Sequence, residues 1–270
     1  MTAAPTRQPV RKATGRMNPD SSGPGQHEFP SSLRRKHSYL EVLIPAKNEA
    51  SRLPRTLERT ISYLERQPYP AAVVVIDNGS FDHTADIASS KWSRTVPVHV
   101  TGCARPGKGA AVRHGLLGSR ADFVGYMDAD LATPIETLDV VLPLLSRYSA
   151  VVASRYMPGA TLAKRQPLHR CVGGMAFHRL ARQILPEIAD TQCGFKFFPG
   201  EVARRVASRL TLDGFAFDVE ILRAVRDLGG AIKEVPVVWT DSRGSSLHPF
   251  RDGTRATMEL FHLVQRRRTP

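Results

Sequence analysis

The chain has 270 residues, of which 41% are hydrophobic and 23% charged, and this composition excludes a fibrous or wholly disordered protein. No apolar run approaches the roughly 18 residues that a membrane-spanning helix needs, so an integral membrane protein is not expected. The net charge of +13 lies mostly near the two ends of the chain, which argues against a nucleic-acid-binding surface on the folded body.

Residues 1–38 are predicted to form a disordered basic arm. This segment holds seven basic residues, two acidic residues and five prolines, with almost no apolar periodicity. Its first residues lack the apolar core of a secretory signal, so a cytoplasmic location is expected. The basic ends of the chain could contact anionic headgroups at the inner membrane face, although solvated charged tails are the more common case.

From residue 39 to residue 155, short β-rich runs alternate with amphipathic stretches. This alternation predicts an α/β fold with a Rossmann-like, mostly parallel sheet that is covered by helices on both faces. The strands are expected at residues 39–44, 71–76, 95–100, 122–127 and 149–153. The helices are expected near residues 50–67, from about 82, and near 109–119 and 134–147.

After residue 155 the regular alternation ends, and this half of the chain is predicted to be mixed rather than doubly wound. A loop at 156–167 is followed by a helix near 169–185 and by the polar-to-aromatic segment DTQCGFKFF. The remaining elements are a helix near 217–228, a strand at 231–239 and an amphipathic helix from about residue 252.

Candidate site residues occur where the predicted strands end, because ligands of open parallel sheets bind at the carboxyl ends of the strands. Pro45 is expected to end the first strand, and Glu49 follows in a loop where it could equally well cap a helix. Asp77 is the last residue of the second strand. A carboxylate at that position has no packing role, so Asp77 is predicted to accept hydrogen bonds from a base or a ribose.

Two further strand ends carry charged residues. In RPGKGAAVRHGL, Lys108 lies between two glycines at a helix start that favours phosphate, although an exposed lysine before a helix is an equal alternative. In YMDADLATP, Asp128 and Asp130 directly follow a buried strand. Carboxylates at i and i+2 of an extended segment project to one side and suit a divalent cation, whereas a surface DxD often arises by chance.

The remaining candidates lie in the second half of the chain. Arg155 follows a strand and could either neutralise a phosphate or pair with a nearby acid. DTQCGFK places Gln192 and Lys196 around a glycine. Asp218 and Glu220 begin a helix in FAFDVEIL, where one could act as a base and the other as a helix-start charge. The histidines show neither HExxH nor a clustered spacing, so no zinc site is predicted.

The ordered motifs IPAKNEA, VIDNGSFDHT, GKGAAVRHG, DADLAT, ASRY and TQCGFK resemble those of family 2 glycosyltransferases with the GT-A fold, and most closely those of dolichyl- or polyprenyl-phosphate hexosyltransferases. The resemblance covers about residues 39–268 and implies one catalytic domain. Its nucleotide-sugar-binding half would be 39–155 and its acceptor half 156–268. The implied reaction is hexose transfer from UDP- or GDP-hexose with inversion of the anomeric centre.

The same resemblance assigns a role to each candidate residue. Those on the donor side would be Pro45 at the donor, Glu49 and Asp77 at the nucleoside, Lys108 near the nucleotide, and Asp128 and Asp130 at Mg²⁺ or Mn²⁺ on the diphosphate. Those on the other side would be Arg155 facing phosphate, and Gln192, Lys196 and Glu220 lining the sugar or acceptor pocket.

The acceptor is left open between two chemical classes. Polyprenyl phosphate is already anionic and needs no protein base, whereas a hydroxyl of a soluble nucleoside or other natural product needs one, and Asp218 is the candidate. Two other classes of protein are remote alternatives. A sugar-nucleotide pyrophosphorylase would carry a Gly-rich loop in place of PAKNEA, and a nucleic-acid-binding protein would interleave basic and aromatic residues on one surface.

Overall fold

The structure, a computed structural model, describes Met1 and residues 39–91, 93–162, 177–240 and 249–265. The predicted arm, apart from Met1, and the first part of the helix expected near 169–185 lie outside these residues. Within the described part of the chain, no helix is both long and apolar enough to cross a bilayer.

A seven-stranded sheet forms the centre of the described residues. The described residues form nine strands, and all except β6 and β9 belong to this sheet. The strands are β1 (Leu40–Ala46), β2 (Ala71–Asp77), β3 (Val98–Gly102), β4 (Phe123–Met127), β5 (Ala150–Ser154), β6 (Thr161–Leu162), β7 (Phe195–Pro199), β8 (Ile232–Pro236) and β9 (Val238–Trp239). The sheet order is β3-β2-β1-β4-β7-β5-β8, and β7 runs antiparallel to both of its neighbours while the other pairs are parallel. The predicted mostly parallel α/β sheet is therefore confirmed.

Helices cover both faces of this sheet, as predicted. The helices are α1 (Leu53–Leu64), α2 (Thr84–Ser90), α3 (Lys108–Gly118), α4 (Leu138–Leu144), α5 (177–184), α6 (Gly200–Ala207), α7 (Phe217–Asp227) and α8 (Pro249–Gln265). Alternate strand residues such as Leu43 and Tyr126 share one buried cluster with α3, α6, α7 and α8. Thr60 of α1 contacts Met127 on the opposite face of β4, which places α1 on the other side of the sheet.

The antiparallel strand β7 fits between β4 and β5 because β4 carries a glycine opposite a phenylalanine. Gly125 pairs with Phe197 across the ladder, and a Cβ atom on Gly125 would overlap the Phe197 ring. Phe195, Phe197 and Phe198 are all fully buried. This insertion brings the TQCGFK segment, which precedes and enters β7, to the end of β4 where Asp128 begins the next loop.

Three strands differ from the sequence-based expectation. Pro45 does not end β1, which continues to Ala46; the pairing of β1 with β4 ends at Leu43, so Pro45 lies where β1 has a partner on one side only. β3 begins at Val98 because the preceding Pro97 has no N–H to donate. The strand expected at 231–239 is divided into β8 and β9, and β9 pairs with β6 in a separate two-stranded sheet.

Substitution Gly125→Ala should destabilise the protein by about 1–3 kcal/mol, because the added methyl group has to displace a buried aromatic ring. The matched control is Gly118→Ala at the end of α3, where an added Cβ meets no atom within 4 Å. Urea unfolding of both variants and of the wild type measures the difference. Equal stability of the two variants would show that the contact between β4 and β7 does not require glycine.

Candidate active site

The loops that follow β1 and β2 are tied to each other by hydrogen bonds. The Asn48 side chain accepts a hydrogen bond from Phe81 N at 2.8 Å, and Asp82 accepts one from Ala50 N at 3.1 Å. Asp82 also accepts a hydrogen bond from Thr84 N at 3.0 Å, at the start of α2. The two loops therefore form one wall of a crevice at the carboxyl edge of the sheet.

Glu49 lies in this wall as one half of an ion pair. Arg52 donates to both of its carboxylate oxygens at 2.6 Å. Burial raises the pKa of Glu49, Arg52 opposes this shift, and the charges of Asp130 and Asp128 raise the pKa further. Glu49 is thus electrostatically coupled to the DxD carboxylates, as expected for residues that share one edge of the sheet.

Asp77 ends β2 with one carboxylate oxygen that has no hydrogen-bond partner among the described residues. This oxygen, Oδ1, is buried, whereas Oδ2 accepts a hydrogen bond from Ser80 N at 3.3 Å. A buried hydrogen-bond acceptor without a donor destabilises the folded protein, so an N–H or O–H group of a ligand would be favoured there. The geometry fits the nucleoside-binding role predicted for Asp77.

Asn78 fixes the loop that leads to α3, a role that sequence reasoning missed. Its side chain donates to the carbonyl oxygens of Cys103 and Arg105 and accepts a hydrogen bond from Gly107 N at 2.7 Å. The residue is buried. Because all three partners are distant in sequence, only the position of this asparagine after a buried strand could have indicated its function.

The two glycines that flank Lys108 allow a neighbouring loop to approach the start of α3. Gly109 N and Ala110 N both donate to the carbonyl oxygen of Asp213, at 2.7 and 3.3 Å. A Cβ atom on Gly107 or Gly109 would overlap the backbone of that loop. Because the amides of Gly109 and Ala110 are occupied by protein, the Lys108 side chain is the better candidate for the phosphate contact predicted at this helix start, and that contact stays a prediction.

A buried charge network, formed by Asp128, Lys108, Asp218, Lys196 and Tyr126, lies between α3, β4, β7 and α7. Lys108 Nζ lies 2.7 Å from Asp128 Oδ1 and 3.8 Å from Asp218 Oδ2. Asp218 Oδ1 accepts hydrogen bonds from Lys196 Nζ and from Tyr126 Oη, each at 2.5 Å. Charges of opposite sign alternate from the crevice into the core, which is how a protein tolerates buried charge.

Exposure decreases steeply along the buried charge network. The side chain of Asp128 is 39% exposed and that of Lys108 17%, whereas those of Asp218 and Lys196 are 2% and 0% exposed. Burial would lower the pKa of Lys108, but Asp128 and Asp218 outweigh this effect and raise it, so Lys108 is a cation at neutral pH. Within the network, only Asp128 and Lys108 are open to a ligand.

The Asp128 carboxylate is confined by the backbone of the TQCGFK segment. Asp128 N donates to Gly194 O at 3.0 Å, and a Cβ atom on Gly194 would overlap the carboxylate. Although part of the side chain is exposed, removal from bulk water raises the pKa of Asp128, Lys108 opposes this shift, and Asp130 and Asp218 add to it. Negative charge is crowded here, so a further cation would be stabilised.

Asp128 and Asp130 fit the protein part of a Mg²⁺ or Mn²⁺ site. Among the residues that the structure describes, no group of three or more His, Cys, Asp or Glu side chains could enclose a metal. Mg²⁺ is usually held by one or two carboxylates together with substrate phosphates, so such an enclosure is not needed for a metal that binds with a diphosphate. Asp130 Oδ1 also accepts a hydrogen bond from Ala132 N at 3.0 Å, which orders the loop.

Arg155 pairs with an acid, the alternative that the sequence left open. Its backbone N, Nε and Nη2 donate to the two oxygens of Asp190 at 2.7–2.9 Å. Burial would raise the pKa of Asp190, but the hydrogen bonds and charge of Arg155 lower it below its ordinary value. The guanidinium lies 5.6 Å from the Trp239 ring. Arg155 therefore anchors the segment that leads into β7, and a contact with phosphate stays a prediction.

The residues predicted to line the sugar or acceptor pocket are placed at different depths. Gln192 is half-buried, and its N donates to Asp190 Oδ1 at 3.1 Å. Lys196 is fully buried in the charge network. Glu220 is also buried and accepts hydrogen bonds from the backbone N of Thr211 and Leu212. Lys196 and Glu220 therefore have structural partners of their own, and the pocket role stays a prediction for all three residues.

Sequence comparisons identify the family of this chain and several of its relatives. A family model described as glycosyl transferase family 2 matches residues 41–206. Dolichyl-phosphate beta-glucosyltransferase of Dictyostelium discoideum is 32% identical over 257 residues, covering 88% of this chain and 79% of the relative. The Homo sapiens protein of the same name is 34% identical over 244 residues, covering 84% and 75%.

Among solved structures, glucosyl-3-phosphoglycerate synthase of Mycobacterium tuberculosis has a similar fold. Its complex with Mn²⁺, UDP and glucosyl-3-phosphoglycerate has a TM-score of 0.66 at 18% identity, covering 85% of this chain and 80% of that chain. Its complex with Mn²⁺, UDP-glucose and phosphoglyceric acid also has a TM-score of 0.66, at 19% identity and with coverage of 86% and 81%.

The fold and the strand-end motifs define a glycosyltransferase of the GT-A type. The chain belongs to glycosyl transferase family 2 and is close to its polyprenyl-phosphate hexosyltransferases.

Substitution Asp218→Asn should lower the free energy of unfolding by about 3–5 kcal/mol, because it leaves the Lys196 ammonium buried without its anion. The double variant Asp218→Asn/Lys196→Met should recover part of this loss. The control is Asp227→Asn on the same helix, whose carboxylate is 51% exposed and pairs with Arg223, and it should cost less than about 1 kcal/mol. Urea unfolding measures all three. A double variant less stable than Asp218→Asn would contradict the explanation.

Proposed function

We propose that this chain transfers glucose from UDP-glucose to a polyprenyl phosphate, with inversion at the anomeric carbon and with Mg²⁺ or Mn²⁺ held by Asp128 and Asp130. The observation that carries the proposal is the exposed end of the buried charge network, where Asp128 and Lys108 meet at the carboxyl edge of the sheet. The relatives named dolichyl-phosphate beta-glucosyltransferase support the hexose and the acceptor. The fold neighbour crystallised with Mn²⁺ and UDP-glucose supports the donor and the metal.

The donor would bind across the carboxyl ends of the first four strands. The unpartnered Asp77 Oδ1 would accept a hydrogen bond from the nucleoside, which removes the cost of its burial. The diphosphate would lie between this point and the DxD carboxylates, within reach of the Lys108 ammonium. A bound divalent metal would neutralise the charge that develops on the departing nucleoside diphosphate.

Transfer would be a single displacement. An oxygen of the acceptor phosphate forms a bond to the anomeric carbon on the face opposite the diphosphate. The bond between that carbon and the diphosphate oxygen breaks, and its electron pair stays on the nucleoside diphosphate. Lys108, kept cationic by its two carboxylate neighbours, is suited to stabilise the added negative charge.

The environment of Asp218 favours a phosphate acceptor over a hydroxyl. A hydroxyl acceptor must lose a proton to a base within hydrogen-bond reach. Asp218, the candidate base, is buried, and its Oδ1 already accepts hydrogen bonds from Lys196 and Tyr126. Asp128 and Asp130 are assigned to the metal. An acceptor phosphate avoids this difficulty because it is anionic near neutral pH.

A polyprenyl chain resides in a bilayer, so this acceptor also implies contact of the enzyme with a membrane surface. The helix α8 exposes Met258 and Phe261, with exposed fractions of 65% and 50%. On the same helix, the Glu259 carboxylate lies beside Gly214, in the loop whose Asp213 carbonyl caps α3. An apolar stripe close to the crevice supports a peripheral mode of contact.

The metal assignment predicts that Asp128→Asn and Asp130→Asn each reduce glucosyl transfer by about 10²-fold or more, because the leaving group loses its stabilisation. Both should also lose most of the rise in melting temperature that UDP with Mn²⁺ gives the wild type. The control is Asp86→Asn on α2, whose side chain is 82% exposed, and it should behave as the wild type. Full transfer by the two variants in EDTA-treated buffer would exclude the metal.

The acceptor assignment predicts transfer to polyprenyl phosphate and not to the matched polyprenol in vesicles of the same composition. Transfer to polyprenyl phosphate should be faster than transfer to polyprenol by about 10²-fold or more. This factor is the usual contribution of a general base, which a hydroxyl acceptor needs and a phosphate acceptor does not. A panel of nucleosides and soluble alcohols tests the other acceptor class. Faster transfer to any hydroxyl than to polyprenyl phosphate would contradict the assignment.

A further inference from the structure

Two protein groups lie close to the Asp128 carboxylate and restrict where a cation can bind it. On one side, the Gly194 backbone lies so close to the carboxylate that even a methyl group would overlap it. On the other side, Lys108 Nζ lies 2.7 Å from Oδ1. A metal bound to Oδ1 from the crevice would lie next to this ammonium, and two cations at such a distance repel each other.

Lys108 has a second anion within a short movement. Asp218 Oδ2 lies 3.8 Å from Lys108 Nζ, and Lys196 and Tyr126 hold Asp218 in place through its other oxygen. The Lys108 ammonium lies 5.8 Å from the ring centroids of Tyr126 and Phe217, which form an aromatic floor below it. A flexible lysine can therefore leave Asp128 without losing all of its favourable contacts.

We infer that the Lys108 ammonium competes with the metal for the Asp128 carboxylate, and that this competition makes the binding of metal and nucleotide mutually dependent. Metal alone has to displace the ammonium from its closest anion. When a nucleoside diphosphate is present, its oxygens offer Lys108 a new partner at the same time as they offer ligands to the metal. Each ligand then raises the affinity of the other, in equal measure. This inference rests on the proposed donor and metal.

The test is Mn²⁺ binding to the full chain, measured from the free Mn²⁺ signal in electron paramagnetic resonance, with and without UDP. Substitution Lys108→Met should tighten the binding of Mn²⁺ alone by at least about fivefold. The factor by which UDP then raises Mn²⁺ affinity should be smaller than in the wild type. Lys108→Gln provides the same comparison with a polar side chain if the methionine variant does not fold, which thermal unfolding establishes.

The matched control is Lys233→Met, which removes the same charge from an exposed lysine on the edge strand β8, three strands away from β4 in the sheet. It should change the affinity for Mn²⁺ alone by less than about twofold, since a distant exposed charge is largely screened. The inference is overturned if Lys108 variants bind Mn²⁺ no more tightly than the wild type, or if Lys233→Met tightens binding equally. If the wild type binds Mn²⁺ neither alone nor with UDP, the proposed metal site fails as well.

Discussion

The ion pair between Lys108 and Asp128, continued into the core by Asp218 and Lys196, is the interaction on which the site depends. Its members come from α3, the loop after β4, α7 and β7, four segments that are distant in the sequence. Each buried charge in this series is tolerable only because the next has the opposite sign. The series therefore requires the antiparallel insertion of β7 beside β4, which in turn requires Gly125.

The same requirement explains why glycines recur around the site. Gly194 lets the backbone before β7 contact the Asp128 carboxylate, and Gly107 lets the Asp213 carbonyl reach the first amides of α3. Neither contact leaves space for a side chain. These glycines fix where the carboxylate and the lysine lie, and in the proposed function the ligand would contact the side chains of Asp77, Lys108 and Asp128.

The sequence predicts the sheet and the edge at which the site lies, because hydrophobic periodicity and strand-end polar residues are local signals. It predicts Asp77, Asp128 and Asp130 as candidates for that reason. It does not reveal that Lys196 is buried beneath Asp218, or that the Asp213 carbonyl occupies the amides after Lys108. Both facts depend on contacts between distant segments. Lys196 and Asp218 are 22 residues apart, and Arg105 and Asp213, which link the same two loops, are 108 residues apart. A local sequence pattern carries no information about such contacts.

The proposed transfer with inversion to a phosphate oxygen is tested most directly by the configuration and bonding of the product. UDP-glucose carries its sugar in the α configuration, so transfer from ¹³C-labelled UDP-glucose to polyprenyl phosphate should give a β-glucosyl phosphate. Nuclear magnetic resonance of the product should show an anomeric carbon coupled to phosphorus and an anomeric proton with the large coupling of the β configuration. An α-configured product, or an anomeric carbon bonded through oxygen to carbon rather than phosphorus, would contradict the account.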